Sequence, residues 1–173
     1  MAFDTYLLID GGSTVKGEAT AGGLTPATGW TEIYSFSLGA SNPTTVGTSS
    51  GGLSGGKVSV SSFNLMKKTD NCSPQLFSAC CNGQHYKTSQ VVCRKATGSS
   101  GKQQTFLKYD FTDVMVESIQ WSGSSGGDDT PTESVSFAFG KIEIQYYTQD
   151  TATGTMKAGN VGSWDLTQAE QTK

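Results

Sequence analysis

The sequence predicts an all-β fold: a single-domain β-barrel of two sheets, with one short flanking α-helix and long glycine-rich loops. Three observations lead there. Short stretches of alternating apolar and polar residues recur along the 173 residues, divided by turn signals. Glycine occurs 22 times while charged residues make up only 16%, a composition suited to many turns and an uncharged polar surface. Only one segment, about Pro74–Asn82, combines helix start and stop signals with an apolar stripe.

Taken in order, Thr5–Ile9 reads as a strand stopped by Asp10-Gly11-Gly12, and Glu18–Thr20 as a second extended segment before the turn-rich GGLTPATG. Trp30–Leu38 reads as one strand with mostly apolar even positions. The stretch Gly39–Gly56, GASNPTTVGTSSGGLSGG, is loop-like, with Val46 and Leu53 its only large apolar residues. A loop this long inside a compact domain is usually functional or disordered. Val58 to Met66 forms a strand with an irregularity near Ser61–Ser62. In the helix Ser73 is the expected cap, Pro74 suits the first turn and Gly83 ends it. Leu76, Phe77, Ala79 and Cys80 make its apolar stripe, and two turns need a sheet to dock on.

Tyr86–Ala96 reads as a strand with Val91 or Val92 and Cys93 inside. Thr105–Phe111 and Val114–Trp121 follow as two more, then a second polar loop, SGSSGGDDTPTE. The stretch Ser134–Tyr147 is a long strand whose parity breaks once. Val135, Phe137 and Phe139 are apolar at odd positions; Ile142, Ile144 and Tyr146 are apolar at even ones. Either a bulge at Gly140 re-aims the strand, or the buried face changes sides halfway. The second option frees Ile142, Ile144 and Tyr146 to meet a neighbouring subunit. The tail, 151–173, is polar, with Trp164 and Leu166 available to anchor a short last strand. No composition shift divides the chain, so 1–173 is expected to be one domain.

A net charge of -3 with no Lys/Arg cluster argues against a nucleic-acid partner. The start, MAFDTYLLIDGG, has neither a basic n-region nor a long apolar core, so no Sec-type signal peptide and no membrane insertion are expected. The four cysteines (Cys72, Cys80, Cys81, Cys93) contain no CxxC pair. Cys80 and Cys81 point about 100° apart on a helix, a poor start for a tetrahedral metal, so buried reduced thiols are expected. The glycine runs lack the strand–loop–helix setting and Gly-Lys-Ser/Thr ending of a phosphate loop. Asp128, Asp129 and Glu133 read as a solvated acidic loop. Glu18, Glu32, Asp113, Glu117 and Glu143 are scattered strand positions, and the single His85 has no G-x-S-x-G serine to serve. Neither catalysis, cofactor nor metal is expected.

Several segments resemble one family over nearly the whole chain. These are DTYLLIDG; VKGEAT with Lys16, Gly17 and Glu18; IYSFSLG; a glycine-rich extension ending GGKVSV; SFNLMKKTDNCSPQLFSACCNGQHYKTSQVVCRKATG; and the closing SSGGDDTPTESVSFAFGKIEIQYY. Together they resemble the Hcp family, haemolysin-coregulated proteins that build the inner tube of type VI secretion systems. The resemblance implies a barrel that closes into a homohexameric ring, with rings stacking into a tube that carries or chaperones effectors. Its partners would be further copies of itself, the sheath, the tip protein and effectors. The protein would wait in the bacterial cytoplasm, then be secreted without a cleaved signal peptide. Ser37 and Ser125 would face the lumen. The arm, with Val46, Gly51, Gly52, Leu53, Gly55 and Gly56, would reach the neighbouring ring. Phe36 and Leu38 stand where tryptophans are common in relatives. Two other classes compete: a monomeric β-sandwich carbohydrate-binding or adhesin-like module using Trp30, Trp121 and Trp164, and a small hydrolase for which no acid pair presents itself.

Overall fold

The computed structural model describes residues 3–46, 52–97, 102–126 and 130–172. The strands are β1 (Asp4–Ile9), β2 (Thr31–Ile33), β3 (Ser35–Ser37), β4 (Ala40–Ser41), β5 (Thr44–Val46), β6 (Leu53–Gly55), β7 (Ser59–Val60) and β8 (Phe63–Lys68), then β9 (His85–Ala96), β10 (Gln103–Ser122), β11 (Thr132–Gln149) and β12 (Met156–Asp165). The helix α1 (Ser73–Asn82) lies between β8 and β9, and Asp10–Gly12 make one 3-10 turn.

Eight strands form one antiparallel sheet in the order β2-β1-β9-β10-β11-β8-β3, with β12 alongside β11. The two ends of that order are adjacent in sequence. Only Tyr34 separates β2 from β3, and its amide donates to the Met66 carbonyl of β8 at 2.8 Å. The sheet is therefore nearly closed into a barrel. This also explains why 30–38 is not one strand: its first half pairs with β1 and its second with β8. The expected two sheets are instead this single wrapped sheet, plus two small two-stranded sheets, β4–β7 and β5–β6.

The barrel interior holds Leu7, Ile33, Phe63, Leu65, Val91, Phe111, Val114, Val135 and Phe137, and Leu76 and Ala79 of α1 pack on the same cluster. A second cluster outside the sheet joins Tyr6, Leu8, Leu24, Trp30 and Val92. Successive residues of a strand face opposite ways, so β1 and the middle of β9 are buried on both faces. Val91 and Val92 are thus both inside, one in each cluster. The cover of the outer cluster is the irregular segment 13–30. Its 18–20 stretch is not a strand; a β-bridge from Gly17 to Gly29 and the Ala19 amide on the Trp30 carbonyl tie it down.

Thr105–Phe111 and Val114–Trp121 are joined into the 20-residue β10 through Asp113, whose φ is 55°. The parity break in β11 has its counterpart here. Val116 pairs with Phe137, Val114 with Phe139, Phe111 with Ile142 and Tyr109 with Ile144, so no residue is inserted at Gly140. Both strands turn over together at Asp113 and Gly140, and the side chains on either side belong to one core cluster. The interior face is kept. The register shift lies elsewhere, between Val116 and Ser118.

Candidate functional site

Three surfaces and one buried network stand out. The stretch read as a loop at 39–56 is a β-hairpin arm. Its root rung pairs Ala40 with Val60 and Ser41 with Ser59; its outer rungs pair Thr44 with Gly55, Thr45 with Ser54 and Val46 with Leu53. The Gly56 amide donates to the Pro43 carbonyl at 2.7 Å between them. Among the described residues no arm strand pairs with a barrel strand, so the arm depends on its own ladder. Leu53 is 73% exposed, and Gly52, Gly55 and Gly56 are on the described part of the arm. Gly51 lies outside the described residues.

At the arm root is an apolar groove of about 350 Å³ lined by Leu38, Val60, Ile142, Ile144, Gly162 and Trp164, among others. It forms because β12 and the arm root flank the kinked end of β11. Of the three residues read as partner-facing, Ile142 is only 5% exposed and belongs to the core. Ile144 packs partly on that core from the groove, and Tyr146 is 47% exposed.

Ser37 is exposed in β3 opposite Asn64, and Ser125 is exposed in the turn after β10. Ser125 helps line a hollow of about 510 Å³ together with Ser122, Ser124, Thr130 and Thr132. Ser37 is not part of that hollow, so the two serines do not share one pocket.

The buried network centres on Lys67. Its ammonium lies 2.7 Å from Glu133 Oε1, 2.8 Å from Asp70 Oδ1, 2.8 Å from the Lys68 carbonyl and 3.0 Å from Ser73 Oγ. Ser73 donates to Glu133 at 2.9 Å and accepts from the Asp70 amide, while Thr31 donates to Asp70. Neither Lys67 nor Glu133 has any accessible side-chain surface. The network clamps β2, β8, α1 and β11 together. Two expectations are corrected by it. Glu133 is not part of a solvated loop, and Ser73 does not cap the helix, because its hydroxyl is committed to the network and Cys72 holds the cap position. Asp128 and Asp129 lie outside the described residues.

Burial by itself would raise the Asp70 pKa, but hydrogen bonds from Cys72, Lys67 and Thr31 outweigh it and hold the carboxyl below its usual range. Burial would likewise lower Lys67; contacts with Asp70 and Glu133 reverse this and its pKa is raised. Acceptors within 3.0 Å surround the three N–H donors of Lys67, so the amine is locked in place rather than poised for chemistry. Sequence reading assigned Lys67 and Asp70 no role beyond the matched motif and placed Glu133 in a solvated loop. The signal was cross-strand register, since Glu133 sits directly opposite Lys67.

All four cysteines are free thiols. Cys72 and Cys93 are buried, and burial pushes the Cys72 thiol up to about 12, whereas Cys81 is exposed, contrary to expectation. Among the described residues no three His, Cys, Asp or Glu side chains converge as a metal site, and no helix is long and apolar enough to cross a membrane. The tryptophans do not converge either. Trp30 is 1% exposed within the outer cluster, Trp164 lies in the groove, and Trp121 packs on Phe77, with ring centres 5.6 Å apart. That pair also accounts for Phe77, which is exposed on the helix rather than facing the core.

A nearly closed barrel with a projecting hairpin, one docked helix and a buried ionic clamp is an architecture shared with secretion-system proteins. The family described as "Type VI secretion system effector, Hcp" matches residues 6–146. Protein hcp1 of Pseudomonas aeruginosa is 34% identical over 116 residues, covering 66% of this chain and 69% of that protein. A solved structure of a type six secretion system protein superposes with a TM-score of 0.86 at 31% identity, over 99% of this chain and 100% of the other. Hcp1 from Salmonella typhimurium gives 0.74 at 27% identity, covering 99% of each. The chain belongs to the Hcp family of type VI secretion system tube proteins.

Proposed function

We propose that this chain is a ring-forming subunit of a type VI inner tube, acting by assembly and effector carriage rather than by catalysis. The observation that carries the reading is the arm. It is a family member's hairpin that, among the described residues, pairs with no strand of its own barrel and carries a bare Leu53. A hairpin edge left without a ladder partner in its own barrel is open to pairing with another chain. Low charge lets copies pile up with little repulsion. Tyr146 is the residue of the Ile142–Ile144–Tyr146 trio with most surface left for a ring neighbour. The hydroxyl-lined hollow at Ser125, and Ser37 on β3, suit the lumen and its cargo. Sheath, tip protein and effectors are the further partners. The chain is held in the bacterial cytoplasm until firing carries it out. Analytical ultracentrifugation with negative-stain microscopy tests the core of this reading. Closed rings are expected, and a strict monomer at high concentration overturns it.

A further inference from the structure

The helix α1 ends on Asn82 and Gly83, the one place where the chain sets an asparagine directly before a glycine. An asparagine carboxamide is an electrophile, and the backbone nitrogen of the next residue is the nucleophile nearest to it. We propose that Asn82 is a site of spontaneous deamidation, and that its conversion to aspartate or isoaspartate undoes the cap of α1.

The local geometry favours attack. Asn82 and Gly83 are both exposed. The Gln84 amide donates to Asn82 Oδ1 at 2.9 Å, a bond that spans Gly83 and holds the carboxamide along the Gly83 peptide. The same donor faces the oxygen on which negative charge develops as the tetrahedral adduct forms. Gly83 has φ 67° and ψ 33°, and a Cβ placed on it meets nothing within 4 Å, so its nitrogen is open to solvent base. The restraint is the Gly83 N–H, which donates to the Ala79 carbonyl. That bond closes the last turn of the helix, and helix ends open at the least cost.

The chemistry needs only water and base. Once the last turn opens, Gly83 N loses its proton to solvent base and bonds to Asn82 Cγ; the Cγ–Nδ2 bond breaks and ammonia leaves. Water then opens the succinimide. Cleaving the new N–Cγ bond gives aspartate; cleaving the original main-chain bond gives isoaspartate, with one extra methylene in the main chain. Both products carry a carboxylate at the negative end of the helix dipole, and the isoaspartate linkage also shifts Gly83 away from Ala79.

The other asparagines are held differently. Asn42 precedes Pro43, which has no N–H. Asn71 precedes the buried Cys72, whose amide donates to Asp70 Oδ1 at 3.1 Å. Asn64 and Asn160 lie in β8 and β12, before Leu65 and Val161, which both pair with β11.

Folded wild-type protein held at mildly alkaline pH, then digested and mapped by mass spectrometry with fragmentation that separates aspartate from isoaspartate, tests the site. Conversion is expected at Asn82 before any other asparagine. Converted chain, separated from unconverted chain by ion exchange, is expected to melt lower, while Asn82→Gln carried through the same incubation keeps its midpoint. Earlier conversion at Asn42, Asn64, Asn71 or Asn160 overturns the site. So does an Asn82 that stays intact in the folded protein, whether or not the urea-unfolded chain converts there. Equal melting of converted and unconverted chain overturns the link to the cap.

Discussion

Lys67 and Glu133 show how a single buried pair disciplines the fold. Removing one member of a buried ion pair strands the other without solvent, which costs about 3–5 kcal/mol. Lys67→Met is therefore expected to lower the unfolding free energy from denaturant titration by that order, and Lys67→Met with Glu133→Leu to recover part of it, since fewer charges are then orphaned. The pH dependence follows from the directions of the shifts. Asp70 is depressed, so its contribution is present above the unfolded carboxyl value and is lost as pH falls below that range. Lys67 is raised, so its contribution is present below the ordinary lysine value and is lost only in strong alkali. The clamp should hold stability flat from about pH 5 to about pH 9, given reference values near 3.9 and 10.4. A melting temperature that falls steeply within that window would contradict the clamp. Thiol chemistry divides the same way. The thiolate is the reactive form, and Cys72 at about 12 is almost never a thiolate near neutral pH. Alkylation of the native protein should label Cys81 first and leave Cys72 and Cys93 untouched by peptide mapping.

At the level of elements, Gly17 has a local reason to be glycine. A Cβ there would sit 2.3 Å from the Trp30 carbonyl oxygen and 2.6 Å from the Thr31 nitrogen, both backbone atoms. The Lys16-Gly17-Glu18 segment lies flat against 30–31, and the Ala19 amide donates to the same Trp30 carbonyl at 2.8 Å. Gly17→Ala should pry this cover off the outer cluster and cost about 1–3 kcal/mol, as overpacking does. A variant with wild-type stability would mean the cover contributes little. The helix end was legible because Gly83, at φ 67°, makes the left-handed turn that glycine tolerates best. The helix start was misread: Ser73 looked like a cap, but a buried lysine and glutamate elsewhere in the chain compete for its hydroxyl. The β11 parity break was visible in sequence, yet its meaning required β10, because only a paired strand reveals whether one or both turn over.

For the whole molecule, arm and barrel should be separable. Deleting 51–55 should leave the barrel's melting transition and the single ring unchanged while abolishing stacks in negative-stain images. Stacks that form as before would give the arm another role. Ser125→Glu should leave ring and fold intact and weaken cargo retention in co-purification. Loss of the ring itself would place Ser125 at a subunit contact instead.

Local information settled the chemistry of the pieces. Alternation placed most strands, Pro74 and Gly83 bounded the helix, low charge and scattered acids left no catalytic pattern, and motif order carried the family resemblance. Only the tertiary structure decided what each piece faces. Closure of the sheet through Tyr34, burial of β1 on both sides, the ladder of the arm, the Glu133–Lys67 clamp and the groove under Trp164 all join residues far apart in the chain. Side-chain period tells which residues share a face, whereas long-range pairing determines what that face meets.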